Sequence, residues 1–308
     1  MTSSPIIPLD LTKVLNNAQL PALPQSAIRL LELSQDPNTG PNEFAQPIES
    51  DPGLAGQVLR FVNSSYFGFT REISNVKLAI NLVGIRTIKN FALWSAVFSL
   101  MPNPKCGPFD LKGLWQDSLR RAVLARRIAQ ALGFRDPEEP FAAALLQDMA
   151  VPLLAKEVPE IYIKLLETRE KSGTRLSDLE RKVFGWTHAD AAAVMARRWN
   201  LPDAFAVLIQ NHLDIDRWSA QPKADAGSFA VALSALLPSA ADEHWTDAVR
   251  FEELYVSAVP PGCPSTVELL EQIDHEFVEF APVLKMTMPG RTLADYYREL
   301  TAAAADQA

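Results

Sequence analysis

Three observations predict an all-α protein. Apolar residues recur at helical spacing along most of the chain. No convincing run alternates with the period of a strand. No Gly-rich phosphate loop and no internal repeat interrupts the pattern. The 308 residues, 48% hydrophobic and 21% charged, suffice for one large domain or two ordinary ones with a sizeable core.

Taken in order, Pro24-Gln-Ser26 opens a segment in which Ala27, Leu30, Leu31 and Ser34 recur at helical spacing, and DPNTGPNE (36–43) reads as a loop. EFAQPIESDPGLAGQVLRFVNSS then reads as two short helices. They meet where Asp51 caps the second and Pro52 suits its first position. GFTREIS is a turn, and NVKLAINLVGIRTIKNFALWSAVFSL reads as two helices broken near Val83-Gly84. MPNPKCGP (101–108) is the clearest internal linker. A long helix follows and ends at Gly133, a suitable C-terminal cap. Further helices fit 141–156, 159–171, 177–183, 188–199 and 203–212. Region 216–227 is loop-like, and helix patterns return at 228–237, 265–284 and 292–304.

The net charge of −8 gives no general attraction to nucleic acid or to anionic membrane, so neither is expected as a partner. Two basic clusters, Arg120, Arg121, Arg126 and Arg127, and the pair Arg197 and Arg198, are read as solvated helix faces. Cys106 and Cys263 have no metal-ligand spacing and are expected as free thiols. The N-terminus shows no signal-peptide pattern, and the longest apolar run, 91–101, is too short to span a bilayer. A cytoplasmic location is expected.

Several polar groups interrupt the apolar faces. Phe141, Ala144, Leu145 and Asp148 fall at i, i+3, i+4 and i+7, so the Asp148 carboxylate points where a core should be. His188 shares a face with Ala192, Met195 and Trp199, and His212 with Phe205, Leu208 and Ile209. Asp117 lies seven and eleven residues before Leu124 and Ile128. Two carboxylates and two imidazoles converging inside a helical bundle suit a metal site. Each has a plainer reading as a satisfied core residue, and Asp117 could instead cap its helix. Gln147 counts against metal, because an amide is a poor ligand beside imidazole or carboxylate. Asn63, Ser64, Tyr66 and Phe67 suit either a recognition surface or, preferably, a structural turn. Trp94, Trp115 and Trp199 sit in apolar stripes and are expected in the core.

The stretches LPALPQSAIRLLEL, IESDPGLAGQVLRFVNSSYFGF and ISNVKLAINLVGIRTIKNFAL, with LWQDSLRRAVLARRIAQALG, AALLQDMAVPLLA, FGWTHADAAAVMARRWNLPDAF and IQNHL behind them, resemble the HDOD domain. That family is a regulatory relative of the HD metal-dependent phosphohydrolases. The resemblance implies an HD-like multi-helix bundle in two halves. Residues 1–17 would be an extension and 18–215 the domain, with halves 18–101 and 109–215. Helices of 216–308 are expected to pack on the second half. It also implies that Asp148 stands in the Asp place of the catalytic His-Asp pair and Gln147 in the His place. The first ligand His falls at Asp117, while His188 and His212 match later histidines. The closing Asp should fall near VALSALL (231–237), where there is no carboxylate. The metal set Asp117, Asp148, His188 and His212 therefore resembles a vestigial pocket.

The expectation is a stand-alone, non-catalytic bacterial signalling module without a cofactor. It would bind other signalling proteins or a small signalling ligand, and a homodimer is plausible. The rival is a divergent phosphohydrolase of a nucleotide second messenger with a weakly bound divalent metal. A third reading is a sensor holding a nucleotide or ion without hydrolysis.

Overall fold

The computed structural model describes residues 9–18, 20–36, 38–282 and 286–305, and no strand occurs among them. The chain is all-α and divides into two compact units. One comprises Met1–Leu20, Met101–Asp274 and Pro289–Ala308; the other comprises Pro21–Leu100 and His275–Met288.

The smaller unit holds α2 (Gln25–Gln35), α3 (Pro41–Glu49), α4 (Pro52–Val62), α5 (Val76–Val83) and α6 (Ile85–Leu100), after α1 (Leu11–Asn17) of the larger unit. Asp51 accepts the Leu54 amide and caps α4, and it also accepts from Ser26 Oγ at 2.9 Å. Gly84 takes φ +90°, a conformation costly for any side chain, and so breaks α5 from α6. Asn63 closes the loop between α4 and α5. Its amide nitrogen donates to the Ile73 carbonyl and its oxygen accepts the Ile73 amide, both at 2.7 Å. Tyr66 and Phe67 are half-buried, and Phe61 stacks on Phe91 with centroids 4.1 Å apart. The 63–67 stretch thus serves as a structural turn.

The larger unit is built on α7 (Leu111–Ala131), which Asp110 caps by accepting the Lys112 amide. It continues through α8 (Glu138–Leu146), α9 (Val151–Glu157), α10 (Pro159–Ser172), α11 (Leu176–Phe184), α12 (His188–Arg198), α13 (Asp203–Gln210), α14 (Ile215–Ser219), α15 (Ala226–Ser234) and α16 (Ala248–Ala258). α17 (Thr266–Phe280) and α18 (Leu293–Ala305) close the chain. α8 and α15 pack on α7 through small side chains: Ala122 and Ala125, Ala142 to Ala144, and Ala230 and Ala232 are all buried. Alanine at these seams lets helix axes approach closely. Gly227 belongs to the same seam, because a Cβ there would meet the Phe134 ring at 3.0 Å.

Several expectations are corrected. The single helix over 141–156 is two, α8 and α9, separated by a buried turn at 147–150. Pro152 explains the break: its ring would clash with the carbonyl four residues earlier, that of Asp148, which instead accepts the Val151 amide at 3.0 Å. The helix over 203–212 ends at Gln210, so His212 lies in the following turn. The stretch 216–227 contains most of α14, and α1 and α16 were not expected at all. The basic cluster on α7 is no solvated face either: Arg120 and Arg126 are buried and Arg121 is nearly so. Arg197 and Arg198 are exposed, as expected. Trp94, Trp115 and Trp199 are core residues.

Candidate functional site

A cavity of about 230 Å³ opens within the larger unit. Asp117, Gln147, Asp148, His188 and His212 all line it. The 147–150 turn delivers Asp148, the first residue of α12 delivers His188, and the turn after α13 delivers His212. One ligand atom from each of Asp148, His188 and His212 lies within 4.8 Å of the others. All three residues are buried.

Each imidazole is oriented from behind. His188 Nδ1 lies 2.7 Å from Glu180 Oε2, which also accepts the His188 backbone amide at 2.8 Å. The other Glu180 oxygen accepts the Tyr162 hydroxyl. His188 Nε2 faces Asp148 Oδ1 at 3.2 Å. His212 Nδ1 donates to the Ile209 carbonyl at 2.6 Å, because a carbonyl can only accept, and its Nε2 faces the same Asp148 oxygen at 3.8 Å. Pinning one ring nitrogen in this way fixes the tautomer and the direction of the other.

The second Asp148 oxygen is taken by Arg121, whose Nη1 donates to it. Burial alone would raise the Asp148 carboxyl. The Arg121 charge, with His188, overrides that and holds it well below the usual carboxylate range. Burial pushes His188 down, but the Glu180 carboxylate and the bond to Asp148 lift it to about 10. His212 has no carboxylate behind it. Burial dominates, and it falls to about 4. The cluster at neutral pH is therefore a guanidinium and an imidazolium around one carboxylate, with a neutral imidazole beside them.

Asp117 stands apart from this triad. Its carboxylate accepts from Ser239 Oγ at 2.5 Å and from the Ala240 amide at 2.8 Å. It does not cap α7, because Asp110 does so. Burial raises the Asp117 carboxyl, opposed by Arg121. Gln147 is fully buried, and neither of its amide atoms has a partner among the described residues.

Arg121, Glu180 and Tyr162 are the residues that sequence reasoning missed. The signal was available for two of them. Arg121 is four residues from Asp117 on the same stripe as Leu124 and Ile128, and Glu180 falls between Leu176 and Phe184 at i+4 on either side.

These residues do not fit the metal centre that the resemblance implies. The two positions that should carry histidine hold Asp117 and Gln147. Asp117 is committed to Ser239 and Ala240, an amide replaces the second imidazole, and a guanidinium already neutralises Asp148. A divalent ion here would have to displace or repel that guanidinium.

The HDOD domain pattern matches residues 20–215. An uncharacterized protein of Treponema pallidum is 24% identical over 194 residues, 63% of this chain and 37% of that protein, so the chain spans little more than a third of that relative's length. Among solved structures, an HDOD domain protein of unknown function from Geobacter sulfurreducens superposes with TM-score 0.63 at 22% identity, covering 96% of this chain and 95% of that one. A Shewanella amazonensis protein, provisionally named a phosphohydrolase, gives TM-score 0.59 at 20% identity over 92% of this chain and 97% of that one. A Marinobacter aquaeolei protein, provisionally named for signal transduction, gives 0.60 at 21% over 94% of this chain and 61% of that one. At these identities the structural likeness speaks to fold. The sequence match extends over well over half of the chain, from the front-half helices through His188 and His212, and on that ground the chain belongs to the HDOD family.

Proposed function

We propose that this chain is a non-catalytic regulatory module that acts by binding, in a signalling pathway, rather than by turning over a substrate. One observation carries the reading: the Arg121 guanidinium sits on Asp148, so the pocket supplies its own cation where a phosphohydrolase needs a metal. Metal-assisted hydrolysis requires a cation with an open position that activates water. A guanidinium provides charge but neither an open coordination site nor an acidified water. The name of the Marinobacter relative agrees with a signalling role.

A second reading, a divergent HD phosphohydrolase, is favoured by one feature. Both imidazoles present Nε2 towards Asp148 with Nδ1 pinned, as metal-bound histidines do. Elemental analysis separates the two readings, using wild-type protein purified without chelator and a His188→Ala, His212→Ala double variant. The regulatory reading expects far less than one metal ion per chain in both. Near-stoichiometric metal in the wild type that disappears in the variant, with metal-dependent phosphoester cleavage, would overturn it.

A further inference from the structure

Among the described residues, two side chains that line the cavity carry buried polar atoms without a partner: Arg121 at Nε, although its Nη1 pairs with Asp148, and Gln147 at both ends of its amide. Gln147 is fully buried and lines the cavity, with Nε2 and Oε1 both unpartnered. Leaving a buried donor or acceptor unpaired costs about 1–3 kcal/mol each. A leucine or methionine of similar size would avoid that cost, so a Gln here suits a function that uses both ends of the amide.

The surroundings restrict what it could use them on. The guanidiniums that line the cavity are each paired with a carboxylate: Arg121 with Asp148, Arg169 with Asp242, and Arg175 with Asp247. Asp117 adds further negative charge. The His188 imidazolium is likewise held between Asp148 and Glu180, and Asp110, Asp117, Asp148, Asp242 and Asp247 all line the wall, so an anionic ligand would find each of these cations already engaged by a carboxylate. At about 230 Å³ the cavity also falls below the roughly 300–1,000 Å³ usual for drug-sized ligands. A cyclic dinucleotide is too large and too charged. What fits is small, uncharged and complementary to an amide.

We infer that the cavity binds a small uncharged molecule presenting an adjacent N–H donor and acceptor, the edge of a carboxamide, lactam or nucleobase, paired with the Gln147 side chain. A primary amide offers this pairing in a single plane, donor beside acceptor, as glutamine does to an adenine edge. His212 Nε2 adds an acceptor on the same cavity wall. The inference rests on the binding-module reading and supplies its ligand class.

The test is calorimetric titration of the full chain with nicotinamide, uracil, adenine and adenosine, with AMP as the charged counterpart of adenosine. Each mixture is then chromatographed for product. At least one neutral probe is expected to bind one-to-one, and AMP more than about tenfold more weakly than adenosine. Gln147→Leu and Gln147→Met are each expected to weaken binding more than about tenfold, because the partner groups then lose both bonds. Their melting temperatures should equal or exceed the wild type's. The inference is overturned if no neutral probe binds, if AMP matches adenosine, or if folded Leu and Met variants bind like the wild type. Should neither variant fold, the adenosine–AMP comparison decides. Product in the chromatogram would overturn the non-catalytic reading without touching the ligand class. Binding absent and product absent would overturn the ligand class alone.

Discussion

At the scale of single residues, the site is a balance of charges around Asp148. Arg121 and Asp148 are mutually dependent because both are largely out of water, at 13% and 7% side-chain exposure. Removing one partner of a buried pair strands the other charge, at a cost of about 3–5 kcal/mol. Arg121→Met should therefore lower the urea midpoint severely, and adding Asp148→Asn should restore part of the loss. Equal midpoints for Arg121→Met and wild type would show that the pair contributes nothing. The two histidines predict a stability optimum. His188 is raised to about 10, so its contribution is complete below its unfolded value near 6.5 and is lost as pH rises towards 10. His212 is lowered to about 4, so its contribution is present above about 6.5 and is lost as pH falls towards 4. The lowered Asp148 carboxyl contributes stability that is present above its ordinary value and disappears in stronger acid. Denaturant midpoints measured from acid to alkali should peak near neutrality. His188→Gln should flatten the alkaline limb and His212→Gln the acid limb between about pH 4 and 6.5. Unchanged limbs in both variants would refute these assignments.

At the scale of elements, local chemistry and tertiary context divided the information. Caps and breakers were legible: Asp51 with Pro52, Gly84, and the glycine after α7 end or start helices where their chemistry dictates. So was the inward direction of His188, because helical spacing is a one-dimensional signal; Asp148 and His212 also face inward, but from turns that follow the helices whose spacing pointed to them. The turn at 147–150 was hidden because apolar periodicity continues through it, and only Pro152 marks it. The arginines of α7 were misread for a related reason. A run of charge looks like a solvated face until the carboxylates that bury it, Asp148 for Arg121 and Asp274 beside Arg120, are brought from distant sequence. Gln147 was noticed as a poor ligand, but its lack of any partner needed three dimensions. The Asn63 loop makes a testable case. Asn63→Ala removes both bonds to Ile73, each worth about 0.5–1.5 kcal/mol, so a loss on the order of 1–3 kcal/mol is expected. Hydrogen exchange at the Ile73 amide, which donates to Asn63, should quicken well before other amides of that unit. An unchanged Ile73 rate would mean that the loop is held by its aromatic packing instead.

At the scale of the whole chain, the family match and the folding unit are not the same thing. The match ends at residue 215, yet the larger unit continues well beyond it. Helix α15 packs against α7 and α8 with Phe229, Val231 and Leu233 buried. Ser239 and Ala240 satisfy Asp117, Asp242 pairs with Arg169, and Asp247 pairs with Arg175. Arg120, almost wholly buried, donates to the Arg291 carbonyl and lies 3.6 Å from Asp274. A chain stopped after residue 215 would expose the apolar seam of α7 and α8. It would also leave Asp117 and Arg120 as buried charges without these partners. Burial of apolar surface is worth about 25 cal/mol per Å², and a stranded buried charge costs several kcal/mol, which weighs heavily against the 5–15 kcal/mol by which domains are usually stable. The truncated chain is therefore expected to lose cooperative unfolding of the larger unit and to bind a hydrophobic dye strongly, whereas the full chain unfolds cooperatively and does not. If the 1–215 chain melts as sharply as the full one, the contacts made by 226–247 are ornament, and the cavity wall they build cannot be what holds Asp117 in place.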